Sequence, residues 1–484
     1  MRVHQKHGLT MIALGLPGLL AVALNWPALA APEPVRIQGQ DPHAGLPAGY
    51  DGARACEACH NGQVSEFGAS NHYQWQGKFG SINDFCGYPD INFGPGKLTT
   101  VYGTQVDGGC ASCHAGMGQR PSTTNYANAD CLTCHASAYR RTLVNVGGVW
   151  RFVPDRANMP PTIAIQGEPT RFACLTCHAY AGGGCNNKRG DMSDVLANPS
   201  RTQDVHMSSG MTCVDCHLAE DHRIAGRGVD LRIDEGVPMR ECADCHNPAA
   251  EHDEKLRSHL DRVACQSCHI PAYGRSVSTD VLRDFRAAEV NERGLFEPKI
   301  TRQSNVIPVY AFWNGQSEFY DFRDSAAPEQ ALARPLGSID DGKLHPFKLH
   351  RAIQPQDPVT GAILPVKAGI LFQTGNVDLA IRVGAQESGF DLSRGYTFLD
   401  TRRWMGIFHE MPPASEALRC AGCHDATDRV DFPALGYDPR ATRNGRPLCI
   451  SCHGPKEAMS FYKLHDKHVK DKGLRCAECH TFNR

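Results

Sequence analysis

An excess of charge of either sign is the first thing this sequence lacks: 50 Lys and Arg face 52 Asp and Glu across 484 residues. Without a basic surplus, nothing points to nucleic acid as a partner. Aromatic residues are also few, at 8%, although the length would hold two or three ordinary domains; the buried apolar surface has to come largely from something other than side chains. Past the first thirty residues no apolar run approaches the roughly 20 residues that a bilayer span needs, so no membrane span is expected in the mature chain. Cysteine outside one motif is scarcer still. Of 22 cysteines only Cys86 and Cys185 stand apart from it, which leaves a disulfide between them as the pairing open to the chain in an oxidising compartment. By contrast, 47 Gly and 31 Pro imply short helices, long ordered loops and little sheet.

What the chain has in abundance is Cys-x-x-Cys-His. The cysteines pair as Cys56 with Cys59, Cys110 with Cys113, Cys131 with Cys134, Cys174 with Cys177, Cys213 with Cys216, Cys242 with Cys245, Cys265 with Cys268, Cys420 with Cys423, Cys449 with Cys452 and Cys476 with Cys479. The closing histidines are His60, His114, His135, His178, His217, His246, His269, His424, His453 and His480. Two thiols about one helical turn apart can each add to a vinyl group on one edge of a haem, which sets the next residue beneath the iron as proximal ligand. A bare Cys-x-x-Cys would suit zinc or a dithiol equally well. Ten complete copies set that reading aside and predict ten covalently bound c-type haems. From Cys110 to His269 the copies crowd, bringing neighbouring haems close to contact.

Residues 1–30 read as a secretory signal: Arg2 and Lys6, then TMIALGLPGLLAVAL, then Ala28, Leu29 and Ala30 as a small-x-small cleavage site. An uncleaved anchor fits less well because the apolar run is short, and no cysteine stands at the cleavage point to carry a lipid. The expected product is periplasmic, or exported to the cell exterior. Behind the signal, 31–269 carries seven motifs, 270–419 carries none, and 420–484 carries three. The middle stretch mixes strand and loop signals such as VIPVYAFW and GAILPVKAGILF, with Phe285–Val290 and Asn291–Pro298 reading as helical or irregular. The expected fold is mainly α with extensive irregular loops, organised around a chain of haems, with a mixed haem-free lobe that supplies distal histidines.

Whether each iron has a second protein ligand separates an electron carrier from a site that can take substrate. Of 23 histidines, ten are proximal and His4 and His7 lie in the signal, leaving eleven. His72, His206, His222, His252, His259, His350, His409, His465 and His468 are the expected distal ligands; His206, His259 and His468 stand at recurring offsets before a motif. His43, in a Pro/Gly-rich loop, is expected to face solvent, and His345 is set aside as a near neighbour of His350. Met117, Met207 and Met411 are substitutes, although methionine is more often core filler. Nine distal histidines for ten haems leave one iron without a histidine partner.

From Cys56 to His424 the chain resembles the octahaem tetrathionate reductase family of multihaem c-type cytochromes. The likeness rests on eight of the motifs, the lone Cys86 before the second, GGGCNNKRGD after the fourth, DVHMSSGMTCVDCH at the fifth, CQSCHIPAYG at the seventh, and the segments HPFKLHRAIQPQDP and RRWMGIFHEMPPASEALRCAGCH. The resemblance implies mostly bis-histidine haems, one catalytic haem with an axial lysine, and reduction of sulfur and nitrogen oxyanions. The counterpart of that lysine is Lys188, which can bind iron only when neutral. The resemblance also implies a free Cys86 thiolate to engage a sulfur substrate, with Cys185 nearby and Lys188 and Arg189 offering positive charge to an oxyanion. The haems at Cys449 and Cys476, with His465 and His468 in KLHDKHVKDKG, lie beyond the likeness and suit an entry or exit point for electrons. Two readings stay open: a reductase fed by bis-histidine haems, and a pure conduit with every haem closed. Both call for redox partner proteins, quinol-linked or other cytochromes.

Overall fold

The computed structural model describes residues 43, 49–74, 100–101, 104–105, 115–117, 124–146, 149–160, 163–226, 236–257, 259–292, 294–419, 422–423, 429–432, 434–435, 437–438, 442–443, 446–447, 466–475 and 481–482. The signal stretch, Cys86, Cys110, Cys113, His114, Cys420, His424, Cys449, Cys452, His453, His465, Cys476, Cys479 and His480 lie outside them.

At four of the described haem motifs the helix is as short as the chemistry allows. One turn brings two cysteines to one face, and nothing in the motif asks for more. Leu132–His135 and Cys265–His269 are single turns. Cys213–Asp215 and Cys242–Asp244 are 3-10 turns, each closed by a capping box, Thr212 with Asp215 and Glu241 with Asp244. Two motifs sit on longer helices, α1 (Arg54–Ala69), which leaves helical dihedrals at His60, and α2 (Arg171–His178), started by the Thr170 side chain accepting from the Ala173 amide.

The expectation of a mainly α chain with little sheet is overturned by a seven-stranded mixed sheet. Its strands are β1 (Thr279–Val290), β2 (Phe296–Gln303), β3 (Val309–Trp313), β4 (Ser317–Phe319), β5 (Gln330–Pro335), β6 (Lys343–Gln356) and β7 (Thr397–Gly406). The order is β4-β5-β7-β6-β1-β2, with β3 also pairing β6. β5 with β7 and β6 with β1 are parallel; the remaining pairs are antiparallel. Phe285–Val290, which reads as helical or irregular, is the end of β1, and Phe296–Pro298 opens β2. The helix-favouring Arg-Ala-Ala-Glu run is held extended by the β2 ladder, across shifts of register after Asp280 and Asp284.

Strand β6 explains why the sheet is hard to read. It carries Pro346 and Pro355, which argue against a central strand, and its buried positions include His345, Lys348, His350 and Gln354. Burial on both faces removes the alternation that marks a half-exposed strand. The polar side chains are tolerated because they bond to one another's surroundings, as when Gln354 Nε2 donates to Thr401 Oγ1 at 2.7 Å.

Helices α3 (Ala368–Thr374) and α4 (Val377–Glu387) close the sheet's apolar core, separated by Gly375 in the left-handed conformation and by Asn376, whose side chain accepts from the Leu379 amide. Phe322, Ile363, Leu364, Ala380 and Ile381 meet there, fully buried. Ile381→Ala is expected to cost about 2–5 kcal/mol, read as a lower urea midpoint for loss of sheet circular dichroism; an unshifted midpoint would show that α4 does not carry this core.

Candidate functional site

Six described histidine pairs set a proximal residue opposite a second ring. They are His43 with His60, His72 with His178, His222 with His135, His409 with His217, His206 with His246 and His252 with His269, with ring centres 6.1, 6.2, 6.3, 6.1, 6.2 and 6.1 Å apart. Rings in van der Waals stacking would sit closer. Two metal–imidazole bonds of about 2.0 Å, plus about 1.1 Å from each nitrogen to its ring centre, put a trans pair at about 6.2 Å. The donor set therefore fits iron held between two imidazoles, with the porphyrin supplying the equatorial plane.

On six of the twelve paired rings Nδ1 is engaged elsewhere, which leaves Nε2 for the gap. His135, His217 and His252 lie within hydrogen-bond reach of the carbonyls of Gln166 (2.9 Å), Ala225 (2.8 Å) and Pro248 (2.9 Å). His222 faces Glu66 at 3.2 Å, His246 faces Glu251 at 3.5 Å and His409 faces Asp191 at 3.2 Å. Burial, reinforced by His72, His217, Lys188 and Arg189, lowers the proton affinity of His178 to about 3. A ring held neutral in this way is ready to bind metal.

The motifs also touch one another. The free thiol of Cys56 lies close to that of Cys131, Cys174 to Cys213 and Cys242 to Cys265, so the first and third, fourth and fifth, and sixth and seventh attachment sites are neighbours in space.

Two histidines depart from expectation. His43 is set against His60 rather than left to solvent. His350, expected as a distal ligand, has its Nε2 2.8 Å from Asp280 Oδ1 inside the sheet lobe, because β6 turns it toward β1. His345 is buried among Trp313, Phe347 and Phe408. Met117, Met207 and Met411 all pack in apolar clusters. His259 is partly buried just before Cys265, and His468 is partly exposed in the turn Asp466–Lys470.

The loop carrying Lys188 is clamped to the sheet. Lys348 Nζ donates to Asn187 O and to Thr279 Oγ1, each at 2.6 Å. Thr279 Oγ1 donates to Asn186 O at 2.7 Å, Arg302 Nε to Asn187 Oδ1 at 3.3 Å, and Arg283 to the Gly182 carbonyl. Gly190 has φ +83°, and a Cβ there would lie 2.8 Å from Tyr273 and 3.1 Å from Lys348; only glycine lets the loop lie this close. Burial lowers the Lys348 ammonium to about 7, with Asp280 opposing and Arg283 assisting. A Gly-rich loop reads as flexible, but this one is fastened. Lys348, Thr279 and Arg283 carry no local sequence signal for that role.

Arg189 is committed to structure: Nη2 donates to Gly406 O at 2.7 Å, Nε lies 3.4 Å from Asp191 Oδ1, and the guanidinium covers Phe408. Cys185 packs beside Leu175 and Ala179, its sulfur accepting from the Asp194 amide at 3.5 Å. Burial raises its thiol to about 12, so it stays protonated. Asp191 is fully buried; burial opposes its charge, but Arg189, His409 and the Phe408 amide hold the carboxyl well below the usual range.

A family model described as bacterial cytochrome c matches residues 292–427. A crystal structure of octahaem cytochrome c from Shewanella oneidensis superposes with a TM-score of 0.68 at 27% identity, covering 84% of this chain and 99% of that one. An uncharacterized protein of Archaeoglobus fulgidus is 31% identical over 39% of this chain and 80% of its own length. The dissimilatory sulfite reductase MccA of Wolinella succinogenes is 24% identical over 34% of this chain, and the match spans 22% of that enzyme. With the paired histidines, these likenesses define a multihaem c-type cytochrome, with covalently bound haems, related to octahaem cytochrome c. The chain belongs to the same family as the Archaeoglobus fulgidus protein. No described helix is long and apolar enough to cross a membrane.

Proposed function

We propose that the chain is an exported, periplasmic decahaem cytochrome in which bis-histidine haems pass electrons to one haem, at Cys110, Cys113 and His114, that is either ligated by Lys188 or open and that reduces a small sulfur or nitrogen oxyanion such as tetrathionate, nitrite or hydroxylamine. The allocation of histidines carries this reading. Six pairs account for His60, His135, His178, His217, His246 and His269. Four motifs remain, at His114, His424, His453 and His480. His345 and His350 are buried in the sheet lobe, so His259, His465 and His468 serve three of the four. One haem is left without histidine. Lys188 lies near the His178 site on a loop rigid enough to present one amine.

The haem supplies electrons to bound substrate; the chain supplies position and charge. The sheet clamp through Lys348, Thr279 and Arg283 holds Lys188, and Cys86 remains the thiol suited to meet a sulfur substrate. Arg189 and Cys185 support the loop. The alternative, a conduit between redox partners with every haem closed, requires histidine at all ten irons, and the allocation favours it less.

The test pairs intact mass, expected at ten haems, with the variants Lys188→Ala and Cys86→Ala. Each should slow oxidation of a reduced dye by tetrathionate, nitrite or hydroxylamine about 100-fold, and Lys188→Ala should alter the minority haem signal. A mass matching eight haems would end the decahaem reading. Unchanged turnover and spectra in both variants would leave the conduit.

A further inference from the structure

We infer that Asp191 is a positioning residue for the haem carried by Cys213, Cys216 and His217, fixing its His409 ring and holding that haem at a lower reduction potential than a backbone-bonded ring would. Asp191 lies three residues past Lys188, yet its Oδ2 accepts from the Phe408 amide at 2.6 Å and the His409 amide at 3.0 Å and lies 3.2 Å from His409 Nδ1. Its side chain is 1% exposed. The two rings of this pair are near parallel, at 19°.

The other carboxylates on paired rings differ in setting. Glu66 and Glu251 are 35% and 50% exposed, so water screens them, whereas a buried charge acts at nearly full strength. A carboxylate accepting from Nδ1–H makes the imidazole a stronger ligand. That favours the ferric state, which carries one more positive charge than the ferrous. Arg189, 3.4 Å from Asp191 Oδ1, draws part of this charge away. Its Nη2 also grips Gly406 O, so the Lys188 loop and the His409 segment move as one body. The potential of this haem is thereby tied to the loop that presents Lys188.

This rests on His217 and His409 holding iron, not on which haem meets substrate. The experiment is a spectroelectrochemical titration with electron paramagnetic resonance of the oxidised full-length holoprotein. Asp191→Asn should raise the potential of one haem and change one low-spin signal, while Arg189→Gln should lower the potential of the same haem. Glu66→Gln should shift its own haem less than Asp191→Asn shifts this one. Unmoved potentials and signals in Asp191→Asn, or a rise in Arg189→Gln, overturn the inference; the second variant keeps the test if the first fails to fold. His409→Ala separates the two failures. If it opens a haem to high spin while Asp191→Asn changes nothing, the pair stands and only the role of Asp191 falls.

Discussion

Acidification is expected to destabilise the sheet lobe by several kcal/mol between about pH 6.5 and pH 3. His345 and His350 are buried to 3% and 4% exposure, and burial lowers each to about 3; Arg189 assists and Asp191 opposes at His345, and Arg403 assists at His350. In the unfolded chain both would titrate near 6.5. Across that interval the unfolded state binds more protons, so stability rises with pH and falls as pH drops. Each ring costs on the order of 4 kcal/mol once fully protonated. Asp280 is shared between the two groups, one oxygen 2.8 Å from His350 Nε2 and the other 2.5 Å from Arg283 Nε. Urea midpoints at about pH 7 and about pH 4 should diverge strongly in the parent and less in His345→Phe and His350→Gln. Equal midpoints in the parent would show that the rings do not enter the fold neutral.

The second large effect is spectroscopic. His43→Ala should convert one haem of the oxidised protein from low to high spin, because its ring stands 6.1 Å from His60, and loss of an axial ligand opens the iron. His350→Ala should leave every haem low-spin or high-spin as before, and only weaken the sheet lobe. The opposite pattern, an opened haem in His350→Ala and none in His43→Ala, would overturn the pairing and return His350 to the haem chain.

That contrast marks how far the sequence could be read. Attachment is local: two thiols and an imidazole within five residues fit one edge of a porphyrin, so the Cys-x-x-Cys-His copies are legible without any fold. A second ligand is not local. His217 meets His409 from nearly two hundred residues away, whereas His60 meets a ring shortly before it, and spacing alone cannot rank His43 above His350. Both stand in polar, Pro-flanked stretches.

The sheet was illegible for a related reason. A strand covered on both faces has no period-two pattern, and β6 hides Lys348, His350 and Gln354 at positions where composition predicts solvent. Their partners, Asn187, Asp280 and Thr401, come from separate segments, so each polar residue looks exposed until the fold brings its partner in. Haem attachment points follow from local residues alone, because covalent geometry demands that they be adjacent. Which histidines face one another, the clamping of the Lys188 loop and the grip of Asp191 on His409 emerge only when distant segments pack together. Those arrangements come from burial, which desolvates charges and imidazoles until they find partners that chain distance does not reveal.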